Sequence, residues 1–290
     1  MQQVINALML GSMYALIALG YTMIYGIIRF INFAHGDVFM VGAYIVFNVV
    51  TIFKFGFWGA LLCAVLGTML LGVVIERVAY KPLRNAPKIS LLITAIGVSL
   101  FLENFVALPV VMGSMPKVVP SFIPISIYSL GNVKFSSAQV IILVTAVALM
   151  IFLGWFIRST KLGRAMRAVS SDYAAVPLMG INVDNIISMA FAIGSALAGV
   201  GGLLYVIVYP EVDPFMGIML GTKAFIAAVV GGIGNIYGAV AGAYLIAFLE
   251  VAMVAAGYSM WRDAAAFGLL IIVLLIKPSG LFGKFEKEKV

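Results

Sequence analysis

The sequence predicts an all-α fold, a polytopic bundle of about eight to ten transmembrane helices with glycine-broken or re-entrant segments. Three observations predict it. Of 290 residues, 64% are apolar and only 10% charged, against about 25% charged in a soluble domain, so one soluble core has no room for the apolar surface. Residues 4–28 and 138–157 carry no charge at all, and each is long enough to cross a hydrocarbon layer of about 30 Å. The basic residues collect in the segments between such runs.

Taken in order, the expected spans are residues 4–28, 37–53, 55–75, 89–111, 136–157, 185–208, 215–231, 236–257 and 264–276. The second and the last few are short or interrupted by glycine, the pattern of re-entrant, tilted or merged segments. Arg29 is the first charged residue; with no cationic region ahead of it, 4–28 is expected to remain a span rather than a cleaved signal. Lys and Arg concentrate in cytoplasmic loops. Segment 76–88 holds Arg77, Lys81, Arg84 and Lys88; segment 158–184 holds Arg158, Lys161, Arg164 and Arg167; the tail holds Lys277, Lys284, Lys287 and Lys289. With Arg29 these make 13 of the 18 basic residues, and nine alternating spans put all of them on one side. The N-terminus is then external and the C-terminus cytoplasmic, with Lys54, Lys117, Lys134 and Arg262 outside. Segment 112–135 contains Pro116, Pro120 and Pro124, which argue against a further helix. The whole chain, residues 1–290, reads as one membrane domain. Gly42-Ala43-Tyr44 recurs as Gly242-Ala243-Tyr244, a faint hint of a duplicated half.

The net charge of +7 is spread over loops without the aromatic interleaving of a nucleic-acid surface, so nucleic acid is not expected as a partner. One cysteine, Cys63, and one histidine, His35, leave neither an internal disulfide nor a metal-ligand set. No catalytic constellation is present. Between the first two spans, Ile31-Asn32-Phe33-Ala34-His35-Gly36-Asp37 gathers polar residues at a break. One reading makes it a tight inner loop, with Asp37 capping the next helix and Gly36 supplying the turn; the other makes Asn32, His35, Gly36 and Asp37 part of a transport path, where irregular backbone is tolerated because it lines water. A second break, Gly231-Gly232-Ile233-Gly234-Asn235, lies between two apolar segments. Gly234, Gly238 and Gly242 recur every four residues, a spacing that favours close helix packing over contact with a solute.

Ionisable residues inside spans, Glu103, Lys223 and Glu250, must face protein, a cavity or an opposite charge. Ion coupling and structural pairing are both open readings. Gly217 to Lys223 lacks the spacing and the hydroxyl residue of a phosphate-cradling loop, so any dependence on ATP must come from another subunit. In the loop 158–184, residues 171–180 read as a short helix capped by Ser171 or Asp172 and stopped by Gly180. Two roles stand equal on the residues alone: an element fitting a groove on a partner, and a linker whose basic flanks hold anionic headgroups.

Several stretches together resemble one family, the permease subunits of branched-chain amino acid ABC importers of the LivH type. They are Leu10-Gly11-Ser12-Met13-Tyr14-Ala15, Gly20-Tyr21-Thr22-Met23-Ile24-Tyr25-Gly26, Asn32-Phe33-Ala34-His35-Gly36-Asp37, Ile75-Glu76-Arg77 through Lys81-Pro82-Leu83-Arg84, Lys223-Ala224-Phe225 and Gly231-Gly232-Ile233-Gly234-Asn235. The resemblance implies a multi-pass protein of the cell inner membrane. It also implies four kinds of surroundings: a second related permease, two cytoplasmic ATPase subunits that hold ATP and magnesium, an external substrate-binding protein, and lipid. The chain itself is then a transport subunit without cofactor or enzymatic activity. The resemblance points to Ser171, Asp172, Tyr173, Ala174, Ala175, Leu178, Gly180, Ile181 and Asn182 as the ATPase-coupling loop. One departure matters: Ala174-Ala175 is followed by four residues before Gly180, where the general permease pattern has three, and Pro177 strains a regular helix. Related permeases carry urea, short amides or other amino acids, so the solute is open. Half-helix N-termini are suited to receive a carboxylate.

Overall fold

The computed structural model describes residues 2–84, 86–130, 133–173 and 175–283. Its ten α-helices are α1 (Gln2–Ile28), α2 (His35–Thr51), α3 (Phe57–Ile75), α4 (Lys88–Ala107), α5 (Ser137–Ser159), α6 (Lys161–Ser171), α7 (Val183–Val208), α8 (Met216–Gly231), α9 (Ile236–Ala255) and α10 (Arg262–Ile276). Nine of them answer the nine expected spans in order. Seven segments are long and apolar enough to cross a membrane by length and composition, whereas α2 and α8 are shorter. At 1.5 Å per residue, their 17 and 16 residues reach only about 25 Å.

Those two short helices form the centre of the molecule. The loop 29–34 turns back alongside α1, so that His35 packs on Gly20, two turns above the end of α1. From there α2 runs parallel to α7: His35 lies near the level of Gly194, and Gly42 meets Gly199. α8 starts against the same point, with Gly217 and Gly221 touching Gly36, and runs parallel to α1 toward the level of Gly26. The two half-length helices therefore meet N-terminus to N-terminus inside the bundle and diverge toward opposite faces. Gly36, Gly217 and Gly221 make this possible, because a Cβ on any of them would collide with the facing backbone.

The surrounding helices repeat the pattern in inverted order. α1 packs on α9 as α7 packs on α3, both antiparallel; α2 packs on α3 and α4 as α8 packs on α9 and α10. Helices α1–α4 and α7–α10 are two halves of opposite orientation, and α5 with α6 joins them. The repeated Gly-Ala-Tyr triplet is unrelated to this symmetry. Its copies fall on α2 and α9, which are not equivalent elements. The relation between the halves is one of packing and direction.

α1 and α7 are the buried pair, most of their residues being removed from the surface, whereas α3, α4, α5 and α10 turn large apolar faces outward. Inverted hydropathy of this kind is that of a bundle solvated by lipid. Among its described residues, the segment rich in proline forms no helix, as expected. It contributes β1 (Lys117–Val118), β2 (Ile127–Leu130) and β3 (Val133–Ser136); β2 pairs with β3, and β1 pairs with β4 (Glu211–Val212). These short antiparallel pairs cover one end, called here the far face. The other end holds Arg29, Lys81, Arg84, Lys88, Arg158 and Arg167 and is called the basic face; Lys284, Lys287 and Lys289 lie outside the described residues.

α6 is an element the sequence reading did not anticipate. Thr160 caps it, accepting from the Gly163 N–H at 3.0 Å. Gly163, Met166 and Val169 form its buried stripe, and Lys161, Arg164 and Arg167 face outward. Apolar residues at a spacing of three place it flat on the basic face. Arg167 reaches back to the Ile157 carbonyl at the end of α5.

Candidate functional site

The break at 31–37 is built differently from the expected capped loop. Ala34, not Asp37, occupies the N-cap position of α2, with no side-chain cap. Asn32 makes the turn: its Oδ1 accepts from the Ala34 N–H at 3.1 Å and from the Tyr80 hydroxyl at 2.7 Å. Gly36 has ordinary helical backbone and serves the contact with α8. His35 is fully buried, edge-on to Tyr21 with 4.8 Å between ring centres. Asp37, in the first turn, takes a hydrogen bond from Ser99 of α4, whose hydroxyl also lies 3.5 Å from a Glu103 oxygen. Glu103 thus sits in a polar pocket with Asp37 and Ser99. The half-helix N-terminus of α2 already faces its own carboxylate, Asp37, and that of α8 is covered by Gly36, so in this conformation neither is open to a carboxylate-bearing solute.

Lys223 and Glu250 belong to a second cluster. The Lys223 ammonium is 3.1 Å from Glu250 and 2.7 Å from Asp263; the Arg262 Nε is 3.5 Å from Glu250, and Tyr14 of α1 donates to Glu250 at 3.1 Å. Two cations thus face two carboxylates, an arrangement of structural pairing. Glu103 lies in the other cluster, so the three intramembrane charges are not brought together.

The glycine break 231–235 is a hairpin between α8 and α9. Gly232 and Gly234 have φ of 109° and 92°, a backbone region that glycine alone enters readily. Asn235 caps α9, its Oδ1 accepting from the N–H groups of Tyr237 and Gly238 at 3.1 and 3.3 Å, while its Nδ2 donates to the Phe282 carbonyl at 3.0 Å. Gly234 precedes α9, so the glycine face consists of Gly238 and Gly242, which press on Gly231 and Ala227 of α8. Close packing is what these residues do. The turn also borders a cleft of about 820 Å³ open at the basic face, lined among others by Tyr25, Arg29, Arg158, Gly234, Asn235 and Tyr237.

The expected helix at 171–180 is shorter than its sequence suggested. Ser171 closes α6; Asp172 accepts at 3.0 Å from the Ala175 N–H; one 3-10 turn, Val176–Met179, follows with Pro177 in its first positions, and Gly180 ends it at φ 73°. Proline cannot continue an α-helix inward of its first turn, and the extra residue before Gly180 is absorbed by the tighter turn. Ala174 lies outside the described residues. Tyr173 is exposed, and Leu178 and Met179 project outward at 87% and 79% exposure. Ile181 is half-buried, and Asn182 caps α7 by accepting from the Asn185 N–H at 3.2 Å.

Below the first break lies a group the sequence reading left aside. Glu76, fully buried, receives the Ser188 hydroxyl at 2.5 Å and one arm of Arg84; the other arm of Arg84 holds Asp184, which also pairs with Lys81 at 2.7 Å. A buried acid at the end of an apolar span, with a partner eight residues on, was the signal that could have found it.

A family model described as the branched-chain amino acid transport system permease component matches residues 3–276. The high-affinity branched-chain amino acid transport system permease protein BraD of Pseudomonas aeruginosa is 42% identical over all of this chain and 98% of its own length. The corresponding LivH of Escherichia coli K12 is 41% identical over all of this chain and 97% of its own length, and a probable LivH of Methanocaldococcus jannaschii is 29% identical over 96% and 91%. Among solved structures, PsaBC from Streptococcus pneumoniae in complex with a Fab superposes with a TM-score of 0.50 at 13% identity, covering 96% of this chain and 92% of that one.

Proposed function

The chain belongs to the branched-chain amino acid transport permease family, and we propose that it forms, with a second and related permease, the membrane path of an ATP-driven importer for branched-chain or other small amino acids. The observation that carries this reading is the pair of half-length helices meeting N-terminus to N-terminus inside two inverted halves. A bundle of that design rocks about a central break and opens to one side at a time. The cleft at the basic face is then its inner opening, the far face is external with the N-terminus, and the tail is cytoplasmic, in agreement with the one-sided Lys and Arg.

The exposed apolar turn around Leu178 and Met179 suits a groove on an ATPase subunit, with Ser171 to Asn182 as the docking loop. Two such ATPases supply ATP hydrolysis, an external binding protein delivers the solute, and this subunit performs no chemistry. The test is reconstitution of the chain with its cognate permease, ATPases and binding protein in liposomes. Leucine uptake that requires ATP and the binding protein is expected. Uptake driven by an ion gradient through this chain alone would sink the reading. Calorimetry on the binding protein with leucine, urea and short amides separates solute classes within it.

A further inference from the structure

We propose that Tyr80 and Arg84 are positioning residues of the transport cycle, joining the docking loop on the basic face to the broken start of α2. The proposal rests on the reading that residues 171–182 meet an ATPase, and it names the route by which their position reaches the middle of the membrane.

The route is a set of buried polar contacts rather than apolar packing. Asn182, the last residue of the loop, caps α7, and Asp184 stands in the first turn of that helix. Arg84 grips Asp184 with one nitrogen and Glu76 with the other, and Lys81 adds a contact to Asp184 at 2.7 Å. Glu76 opens a single π-helical stretch, Glu76–Tyr80. Such wide turns recur at functional sites. This one aims Tyr80 back under the first half of the chain. The ring of Tyr80 is 2% exposed and packs against Phe30 and Phe191, each with 5.5 Å between ring centres. Its hydroxyl donates to Asn32 at 2.7 Å.

The same Asn32 oxygen accepts from the Ala34 N–H, the Asn32 carbonyl accepts from the His35 N–H at 3.1 Å, and Ala34 is the N-cap of α2. Tyr80 therefore reaches the turn of the break from outside it, as Ser99 of α4 reaches Asp37 at its other end. Arg29, two residues before the break begins, holds a left-handed φ of 50°, a conformation that a non-glycine residue keeps only where its surroundings hold it. Moving the 76–84 segment with the docking loop shifts the tyrosine, and the tyrosine sets where α2 starts relative to α8.

The experiment uses the assembled importer in liposomes and measures ATP hydrolysis and solute uptake in the same preparation. Tyr80→Phe removes only the hydroxyl. ATP consumed per solute carried is expected to rise about fivefold or more, the lower range of a coupling effect, with the binding-protein concentration for half-maximal stimulation unchanged. Arg84→Lys, which keeps the charge and loses the fork, is expected to shift the same ratio. A proportional fall in both rates, the mark of a merely structural role, overturns the proposal, as does an unchanged ratio in both variants. Deletion of residues 172–179 separates this from the underlying reading. If that deletion leaves coupling intact, the docking assignment itself fails; if it uncouples while Tyr80→Phe and Arg84→Lys do not, only the route is wrong.

Discussion

Replacing Lys223 by Met tests the charged cluster at the α8–α9–α10 junction. The side chains are close in length, so little packing changes and the effect is one of charge. In the native chain the Lys223 and Arg262 cations balance the Glu250 and Asp263 carboxylates. The substitution leaves one carboxylate in excess, and Glu250, with no exposure, keeps only the Tyr14 hydroxyl at 3.1 Å and the more distant Arg262 at 3.5 Å. Breaking a buried pair by removing one partner costs about 3–5 kcal/mol. Lys223→Met combined with Glu250→Gln restores the balance, since Arg262 still faces Asp263 at 3.4 Å, and glutamine still accepts from Tyr14. The double variant is expected to lose only about 1–2 kcal/mol, the scale of an imperfect hydrogen bond. Equilibrium unfolding of the purified permease in one mixed-micelle composition measures both. A single variant within 1 kcal/mol of native, or a double variant less stable than Lys223→Met alone, refutes the pairing as described.

Other outcomes follow from the same geometry. Gly217→Leu puts a side chain where the Asp37 carboxylate and the Gly36 backbone already stand; insertion into the membrane is expected to persist while transport falls to background, read by surface labelling beside uptake. At Gly180, with φ 73° and open space around it, alanine is expected to cost about 1–2 kcal/mol and leave coupling largely intact. Proline, locked near −65°, is expected to abolish solute-stimulated ATP hydrolysis in the assembled importer. Met166→Asp buries a charge under α6 and is expected to release that helix from the basic face, seen as new protease cleavage within 160–172.

The positions of nine apolar helices, seven of them long enough to span, were legible because hydropathy over twenty residues reports the solvent directly, whatever the partners of a helix. Depth was not legible. A 17-residue apolar run that starts in mid-membrane reads like one that starts at the surface, so α2 and α8 were recognised as short without being placed tip to tip. At the first break the residue types were right but their roles were exchanged: Asn32 turns the chain and Asp37 faces Ser99, because the partners sit 48 and 62 residues away on Tyr80 and Ser99. Local capping rules cannot see across that distance. α6 did carry its signal, apolar residues spaced by three within a basic stretch, but the excess of Lys and Arg read as a loop. Pro177 marked the helix expected at 171–180 as strained, and the structure has a single 3-10 turn, Val176–Met179, in its place. The Glu76–Arg84–Asp184 group was hidden for another reason: its glutamate ended a span and its arginine counted only toward sidedness.

A chain made of two inverted halves contains instructions for a conformer it is not currently showing. Giving α1–α4 the internal arrangement of α7–α10, and the reverse, would close the cleft beside Tyr25 and Asn235 and open its counterpart on the far face, among the end of α7, the α2–α3 turn and the start of α10. The outward state of the proposed importer is thus the present arrangement with the roles of the halves exchanged. Cysteine pairs chosen across that exchanged geometry would trap it without any structure of it being known.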